Sequence, residues 1–513
     1  MTAPAAPRTA DAHGVDIDAL AARLVADVLA EPTTGGLLPS VYETARLVSL
    51  VPWLDGHPER VGFVLERQKE DGSWGGPDGY ALVTTLSATE ALLAARDQEE
   101  LPAGLRERAA EAAGRGLTAA ARQLEDSVRT RTAPPNTVVA MMIVPALVAD
   151  INARQEQRLP MPHGMDGARL EELRTSGWRN PLAGHYLEIA GPDAVRAPHF
   201  QPVGGMIGCS VAATAAWLGD AEPGPEYRAS VDFLRSAQAA GGGAVPAMTS
   251  VAYYERAWIL GNLATAGIAT KLLAPLAEGL PRDTARTGAP TAPGFAYEAE
   301  TSAIVLAAFA QLGPAQEPEY LWQYDSGSHF QSTIPEFTPS TSTNAHVMGA
   351  LGAYRDTGPA DTARYTDAIE RIARWLGERQ LADGTWIDKW HASPYFSTMR
   401  CAVALHQHAG PAHGATVSRA VDWILASQHP DGSFGRWGGT PEETAYAVQT
   451  LLRTSAPGAA REEAAAWRGV AYLMEHLDDT VHRELWIGKE LYVPVHMVRG
   501  AVIGALSLAA SRR

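Results

Sequence analysis

A short motif recurs along this 513-residue chain and restricts its fold more than any other feature. Gln68-Lys69-Glu70-Asp71-Gly72-Ser73-Trp74-Gly75 returns as Gln380-Leu381-Ala382-Asp383-Gly384-Thr385-Trp386 and as Gln428-His429-Pro430-Asp431-Gly432-Ser433-Phe434-Gly435. In all three copies the aromatic residue stands six positions after the Gln, and Gln238 to Gly243 reads as a worn copy. Self-similarity of this kind marks stacked helical units. Asp-Gly supplies the turn, because Gly tolerates positive φ. The Gln amide is expected to bond the end of a neighbouring helix while the ring packs across the junction. Between copies lie Ala/Leu/Val-rich stretches of roughly 9–15 residues, long enough for helices. β-branched alternation is scarce. The fold class expected is all-α, built of helical hairpins, and copies in both halves point to two similar barrels.

A chain of this length exceeds one ordinary core. We expect a disordered tail over residues 1–14, a first helix within 15–36, one domain over 37–281 and a second over 282–513. The boundary is set near Pro281, because Arg282 to Pro293 is rich in Thr, Ala and Pro. A net charge of −16 repels phosphate backbones and argues against a general nucleic-acid surface. Cys209 and Cys401 are too far apart in sequence for a Cys-x-x-Cys site and read as small buried apolar residues. No apolar run reaches the roughly 18 residues of a membrane span, and the N-terminus has no apolar signal core. These features lead us to expect a soluble cytoplasmic protein.

One stretch carries chemistry of its own: Tyr297-Glu298-Ala299-Glu300-Thr301-Ser302, running into an apolar helix. The helix dipole alone accounts for carboxylates in a first turn. Two buried carboxyls two residues apart are also a way to hold a proton at neutral pH.

Taken together, these residues resemble the terpene cyclase/mutase superfamily, and within it the bacterial class II prenyl-diphosphate cyclases such as the halimadienyl (tuberculosinyl) and drimenyl diphosphate synthases. The recurrent motif is similar to that superfamily's glutamine–tryptophan repeats. The likeness is densest in Ser342-Thr343-Asn344-Ala345-His346-Val347, Asp388-Lys389-Trp390-His391, Glu442-Glu443-Thr444-Ala445-Tyr446 and Leu485-Trp486-Ile487-Gly488-Lys489-Glu490-Leu491-Tyr492. Tyr42-Glu43-Thr44-Ala45 resembles the family's early Tyr-Asp-Thr-Ala. The resemblance implies a βγ pair of α-barrels, with γ inserted after the first helix of β and the active cavity between them.

It also implies protonation-initiated cyclisation of a linear geranylgeranyl or farnesyl diphosphate to a bicyclic diphosphate. Alternatives are a prenyl-lipid-binding homologue without turnover, or a cyclase of an isoprenoid that carries no diphosphate. The Glu298–Ser302 stretch takes the place of the family's Asp-x-Asp-Asp or Asp-x-Asp-Thr-Thr/Ser motif. Thr301 and Ser302 match, and both aspartates are replaced. Carried over, Glu300 is the proton donor, Glu298 tunes it, Thr301 accompanies them and Asn344 hydrogen-bonds the donor. Glu adds a methylene, and a misplacement of about 1 Å costs on the order of 100-fold in rate. Trp258, Trp390, Tyr395, Trp486 and Tyr492 are candidate carbocation walls, since aromatic faces stabilise positive charge. Lys389 and Lys489 are candidates for the diphosphate, and Mg2+ is implied as its companion without any ligand motif. His346 and His391 lack a ligand-type partner at i+4 and are expected to be structural. Asp478-Asp479-Thr480-Val481-His482 lacks the last acid of an Asp-Asp-x-x-Asp sequence, which disfavours ionisation-initiated chemistry.

Overall fold

The computed structural model describes residues 15–30, 37–135, 139–156, 158–239, 241–248 and 251–512. The expected tail 1–14 and the helix-ending stretch 31–36 lie outside them. Among the described residues the chain is helical apart from two two-stranded pairs and isolated bridges.

Six helices close a ring in the second barrel: Ala252–Thr265, Ala299–Leu312, Thr341–Arg355, Pro394–His408, Pro441–Thr454 and Val495–Ala510, each packed on the next and the last on the first. Such inner helices need apolar or small residues on nearly every face, because neighbours and the barrel interior both press on them. Thr362–Arg379, Gly414–Ala426 and Ala460–Glu475 form an outer layer and bury one stripe each. The first barrel repeats the scheme more tightly. Val41–Leu50, Ala81–Arg96, Ala140–Arg154, the 3-10 segment Pro181–Ala194 and Val211–Leu218 form its ring.

Packing draws the domain division differently from composition. The core around Tyr42 to Val245 is separate from the one containing Ile17 to Val28 and Ala257 to Ala509. The first helix, Ile17–Ala30, thus packs into the second barrel, and the first barrel is inserted after it. Helix Ala252–Thr265 is an inner helix of the second barrel, so the boundary falls between Val245 and Ala257 rather than near Pro281. The Thr/Ala/Pro-rich stretch is a connection within that barrel, holding the one-turn helix Thr284–Thr287 and then Ala289–Pro290, which pairs with Tyr297–Glu298.

The recurrent motif ties outer helices together. Gln380 Nε2 donates to Gly384 O of its own turn (2.9 Å) and to Thr416 O on the next outer helix (2.9 Å). Gln68 does the same with Gly72 and Ala112, and Gln428 with Gly432 and Ala465. Each Gln oxygen accepts from an arginine three residues beyond that second carbonyl: Arg115, Arg419 and Arg468. The indole of Trp386 donates back to Leu376 O (2.8 Å) and that of Trp74 to Val64 O (2.7 Å). Gly384 is required twice over: its φ is +96°, and a Cβ would stand 2.4 Å from Arg419 O. In the worn copy, Gln238 turns instead to Asp55 O (2.8 Å) and Arg60 (2.8 Å).

Candidate active site

The inner helices of the second barrel point their N-termini at the first barrel, and a largely apolar cavity of about 170 Å3 lies where the two meet. Met142, His185 and Tyr186 line it from the first barrel; Tyr254, Phe295, Trp390, Trp486 and Tyr492 line it from the second. Glu298 and Glu300 are the carboxylates on its wall among the described residues.

The two glutamates divide the work of a helix start. Glu298 is the N-cap of Ala299–Leu312. Its carboxylate accepts from the backbone N–H of Glu300 (3.0 Å) and of Thr301 (2.7 Å), and from the Thr301 hydroxyl. Such bonds favour the ionised form, although burial and then the charge of Glu300 push Glu298 up to about 7. Glu300, two residues on, has no backbone donor to satisfy. Its Oε1 faces Ser342 Oγ (3.0 Å), His346 Nδ1 (2.9 Å) and Tyr254 Oη (3.4 Å), and its Oε2 faces Thr343 Oγ1 (2.8 Å). Burial first, then the Asp388 carboxylate, push Glu300 up to about 7. Within this coupled pair the proton belongs on Glu300. Two backbone donors fixed by the helix start hold charge on Glu298, whereas the hydroxyls around Glu300 rotate to accept as readily as they donate. Burial and then the Arg400 guanidinium hold His346 neutral, so its Nδ1 also accepts from a protonated Glu300.

Asp388 anchors the partners of Glu300. Its Oδ2 accepts from Ser340 Oγ (2.9 Å), Thr341 Oγ1 (3.0 Å) and Ser342 N (2.9 Å), which fixes the start of Thr341–Arg355 and with it Ser342, Thr343 and His346.

The structure redistributes several expected roles. Asn344 does not reach Glu300. Its Oδ1 accepts from Phe330 N (2.9 Å) and its Nδ2 donates to Phe330 O and Ser340 O (2.9 Å each), pinning the 330 segment to the helix start. Side chains at 342, 343 and 346 lie on the Glu300 side of that first turn, and 344 lies on another. His346, expected to be structural, meets the carboxyl instead. His391 is buried, with Nε2 3.2 Å from Glu442 Oε1 and its ring stacked on Phe396.

Trp390, Trp486 and Tyr492 line the cavity, whereas Tyr395 is a core residue packed on Trp423 and Phe434. Trp258 lines a different cavity inside the second barrel. Lys389 lines the main cavity, but its ammonium donates to Ser332 Oγ (2.6 Å) and Thr338 O (2.7 Å) and its field reaches Glu300. Lys489 is not on the cavity wall. It is buried between Glu43 and Glu188, 2.7 Å from each, and donates to Ser210 Oγ (2.7 Å). Sequence reasoning passed over Tyr254, Asp388 and Arg169, the last of which lines the cavity with its guanidinium over the Phe337 ring. Asp388 stands in a stretch that carries the family likeness; nothing local marks the other two.

The squalene-hopene cyclase C-terminal domain family matches residues 336–490, which hold Asn344, Asp388 and Lys489. An ent-copalyl diphosphate synthase of a Streptomyces species is 39% identical over 508 residues, covering 96% of each chain. A copalyl diphosphate synthase of Streptomyces cyslabdanicus is 37% identical over 520 residues, again with 96% of each covered. The solved ent-copalyl diphosphate synthase from Streptomyces platensis superposes with a TM-score of 0.86 at 40% identity, over 96% of this chain and all of that one. Among the described residues no helix is long and apolar enough to cross a membrane. With near-complete coverage, the same double barrel and a buried pair of carboxyls where the barrels meet, the chain belongs to the class II bacterial diterpene cyclases, the family of copalyl and labdadienyl diphosphate synthases.

Proposed function

We propose that the protein cyclises geranylgeranyl diphosphate to a bicyclic diphosphate, with Glu300 donating the initiating proton to the terminal alkene. The observation that carries this reading is the setting of Glu300: buried, on the wall of an apolar cavity, with burial and then Asp388 pushing its carboxyl up to about 7. An alkene is a poor base, so its acid must be uncharged beforehand and gain stabilisation once ionised. Ser342, Thr343 and Tyr254 turn their hydroxyls to the new carboxylate as the proton leaves, and His346 Nδ1 faces it as well. The cation then meets the rings of Trp390, Trp486, Tyr254 and Tyr492, which stabilise it without forming a bond. The C20 substrate is favoured over farnesyl diphosphate by the copalyl and labdadienyl diphosphate synthases among its relatives.

The diphosphate is assigned to Arg169, because Lys389 is taken up by Ser332 and Thr338 next to the acid. Arg169→Ala is expected to raise KM about tenfold while kcat changes little, as steady-state kinetics will show. The Mg2+ that the family resemblance implies finds no ligand set on this wall. Glu298 is the helix cap and Glu300 carries the proton, and no group of three His, Cys, Asp or Glu fit to hold a metal occurs among the described residues.

Incubation with geranylgeranyl and farnesyl diphosphate, followed by phosphatase and product analysis, tests the reading. A bicyclic C20 alcohol is expected. Linear alcohols alone would leave a prenyl-lipid-binding protein.

The pH dependence has a definite sign. Protonated Glu300 is the active form, so kcat is expected to fall as pH rises through about 7. Asp388→Asn removes a negative charge that retains the proton, and the alkaline limb of the rate profile moves to lower pH. Stability follows the same linkage. The folded carboxyl binds its proton more tightly than the unfolded one, so its contribution is complete below the ordinary value of 4.5 and is lost as pH passes about 7.

A further inference from the structure

The second barrel encloses a cavity of about 210 Å3 that shares no lining residue with the one holding Glu298 and Glu300. His346 stands between the two, with Nδ1 on Glu300 and its ring on this second wall. The far end is built from last-turn residues of the inner helices, Thr265, Gln311, His408 and Arg453, and the exposure of Thr265 and Gln407 opens it to solvent.

Two guanidiniums, Arg400 and Arg453, face this space, and no Asp or Glu lines it among the described residues. Arg453 donates to Thr265 Oγ1 (3.0 Å) and Asn262 O (3.4 Å). Arg400 makes no hydrogen bond among the described residues and lies over the rings of Trp258 (5.0 Å) and Phe396 (5.7 Å). The Nε atoms of both arginines, His346 Nε2, His408 Nδ1 and Gln449 Oε1 are buried on this wall without partners. Burial depresses both guanidiniums, and Arg400 adds to the depression at Arg453, which is held down to about 10. Glu300, whose field reaches Arg400, is itself pushed up to about 7 by burial and Asp388.

Water satisfies the orphaned dipoles of such a cavity, which has room for several molecules. It does not neutralise two like charges, and ring faces soften a charge without cancelling it. A planar guanidinium fork matches an oxyanion edge, and two of them facing one space match a tetrahedral one. Gln449 Oε1 asks for a donor, which the hydroxyl of monohydrogen phosphate supplies and sulfate lacks.

We propose that this cavity is an anion site and that Arg400 and Arg453 hold a small inorganic oxyanion of the phosphate class within the second barrel. Equilibrium dialysis of the full-length protein against inorganic phosphate at constant ionic strength tests it. One equivalent is expected at this site, with sulfate competing more weakly. Arg453→Met abolishes that equivalent, and Arg453→Lys, which keeps the charge and loses the fork, weakens it by about tenfold or more. Arg169→Met, which removes the cation assigned to the diphosphate in the other cavity, leaves it unchanged. Retention of phosphate by Arg453→Met, or its loss only in Arg169→Met, places the anion in the main cavity and overturns the proposal. Absence of binding to the parent protein also overturns it, leaving water alone around the guanidiniums. Arg400→Met is expected to match Arg453→Met; a failure of that variant to fold leaves the Arg453 pair to decide.

Discussion

Glu300→Gln is expected to lower the rate of cyclisation by about 10^2–10^4-fold, the range a general acid supplies, while the protein remains folded. Gln has nearly the shape of the protonated acid and lacks the proton that leaves. Its carboxamide oxygen can still accept from Ser342 on the Oε1 side while its N–H donates to Thr343 Oγ1 on the Oε2 side, so substrate binding should change by only a few-fold. Glu298→Gln is a different lesion. It weakens an N-cap that serves Glu300 N and Thr301 N, at a cost of about 1 kcal/mol, and leaves the acid in place. Single-turnover rates on purified variants, compared with their thermal unfolding, separate the two. A Glu300→Gln protein that cyclised at the parent rate would remove Glu300 from the reaction while leaving the family assignment intact.

Lys489→Met is expected to destabilise the protein by about 3–5 kcal/mol, because it strands two buried carboxylates. Lys489 belongs to a hairpin near the C-terminus, yet its charge is matched by Glu43 and Glu188 of the first barrel. Burial alone pulls its pKa down; Glu188 and Glu43 more than reverse that. It is therefore a strut between barrels, and it supports the segment that puts Gly488 and Tyr492 on the cavity wall. Denaturant titration should show the loss in the midpoint, and adding Glu43→Gln with Glu188→Gln should restore part of it, since the stranded charges then go too. A Lys489→Met protein as stable as its parent, with weaker diphosphate binding, would return Lys489 to the role of a substrate ligand.

These two residues also show what kind of information local sequence holds. Glu298 and Glu300 are legible as a pair because helix starts and proton donors both use carboxylates; the structure makes Glu298 the cap, and the donor's role is the one proposed for Glu300. Which is which depends on Ser342, Thr343, His346 and Asp388, which arrive from other helices. Lys389 and Lys489 both sit in stretches that carry the family likeness, and neither stretch reveals that Glu336 stands 3.5 Å from the first ammonium or that Glu43 and Glu188 match the second. The expectation for Asn344 failed for a rotational reason: neighbours in one helical turn face different directions, so 342, 343 and 346 reach the acid and 344 does not.

The all-helical character, the two barrels and the placing of two carboxyls ahead of an apolar helix at Glu298–Glu300 were determined by the sequence alone. The signals for these are periodic or local: apolar segments of helical length, Asp-Gly turns that need positive φ, a Gln and an aromatic at fixed spacing, and two carboxyls before an apolar helix. The arginine that completes each repeat, at 115, 419 and 468, was legible only once the outer helices were in contact. Tertiary structure decided the domain boundary, since Ala252–Thr265 closes the second ring whatever its linker composition suggests. It decided the partners of Glu300, the burial of Lys489 and the place of Trp258 and Tyr395 away from the main cavity. Burial and pairing of charge arise between residues hundreds of positions apart, and those terms set which carboxyl keeps its proton and which cation remains available to a substrate.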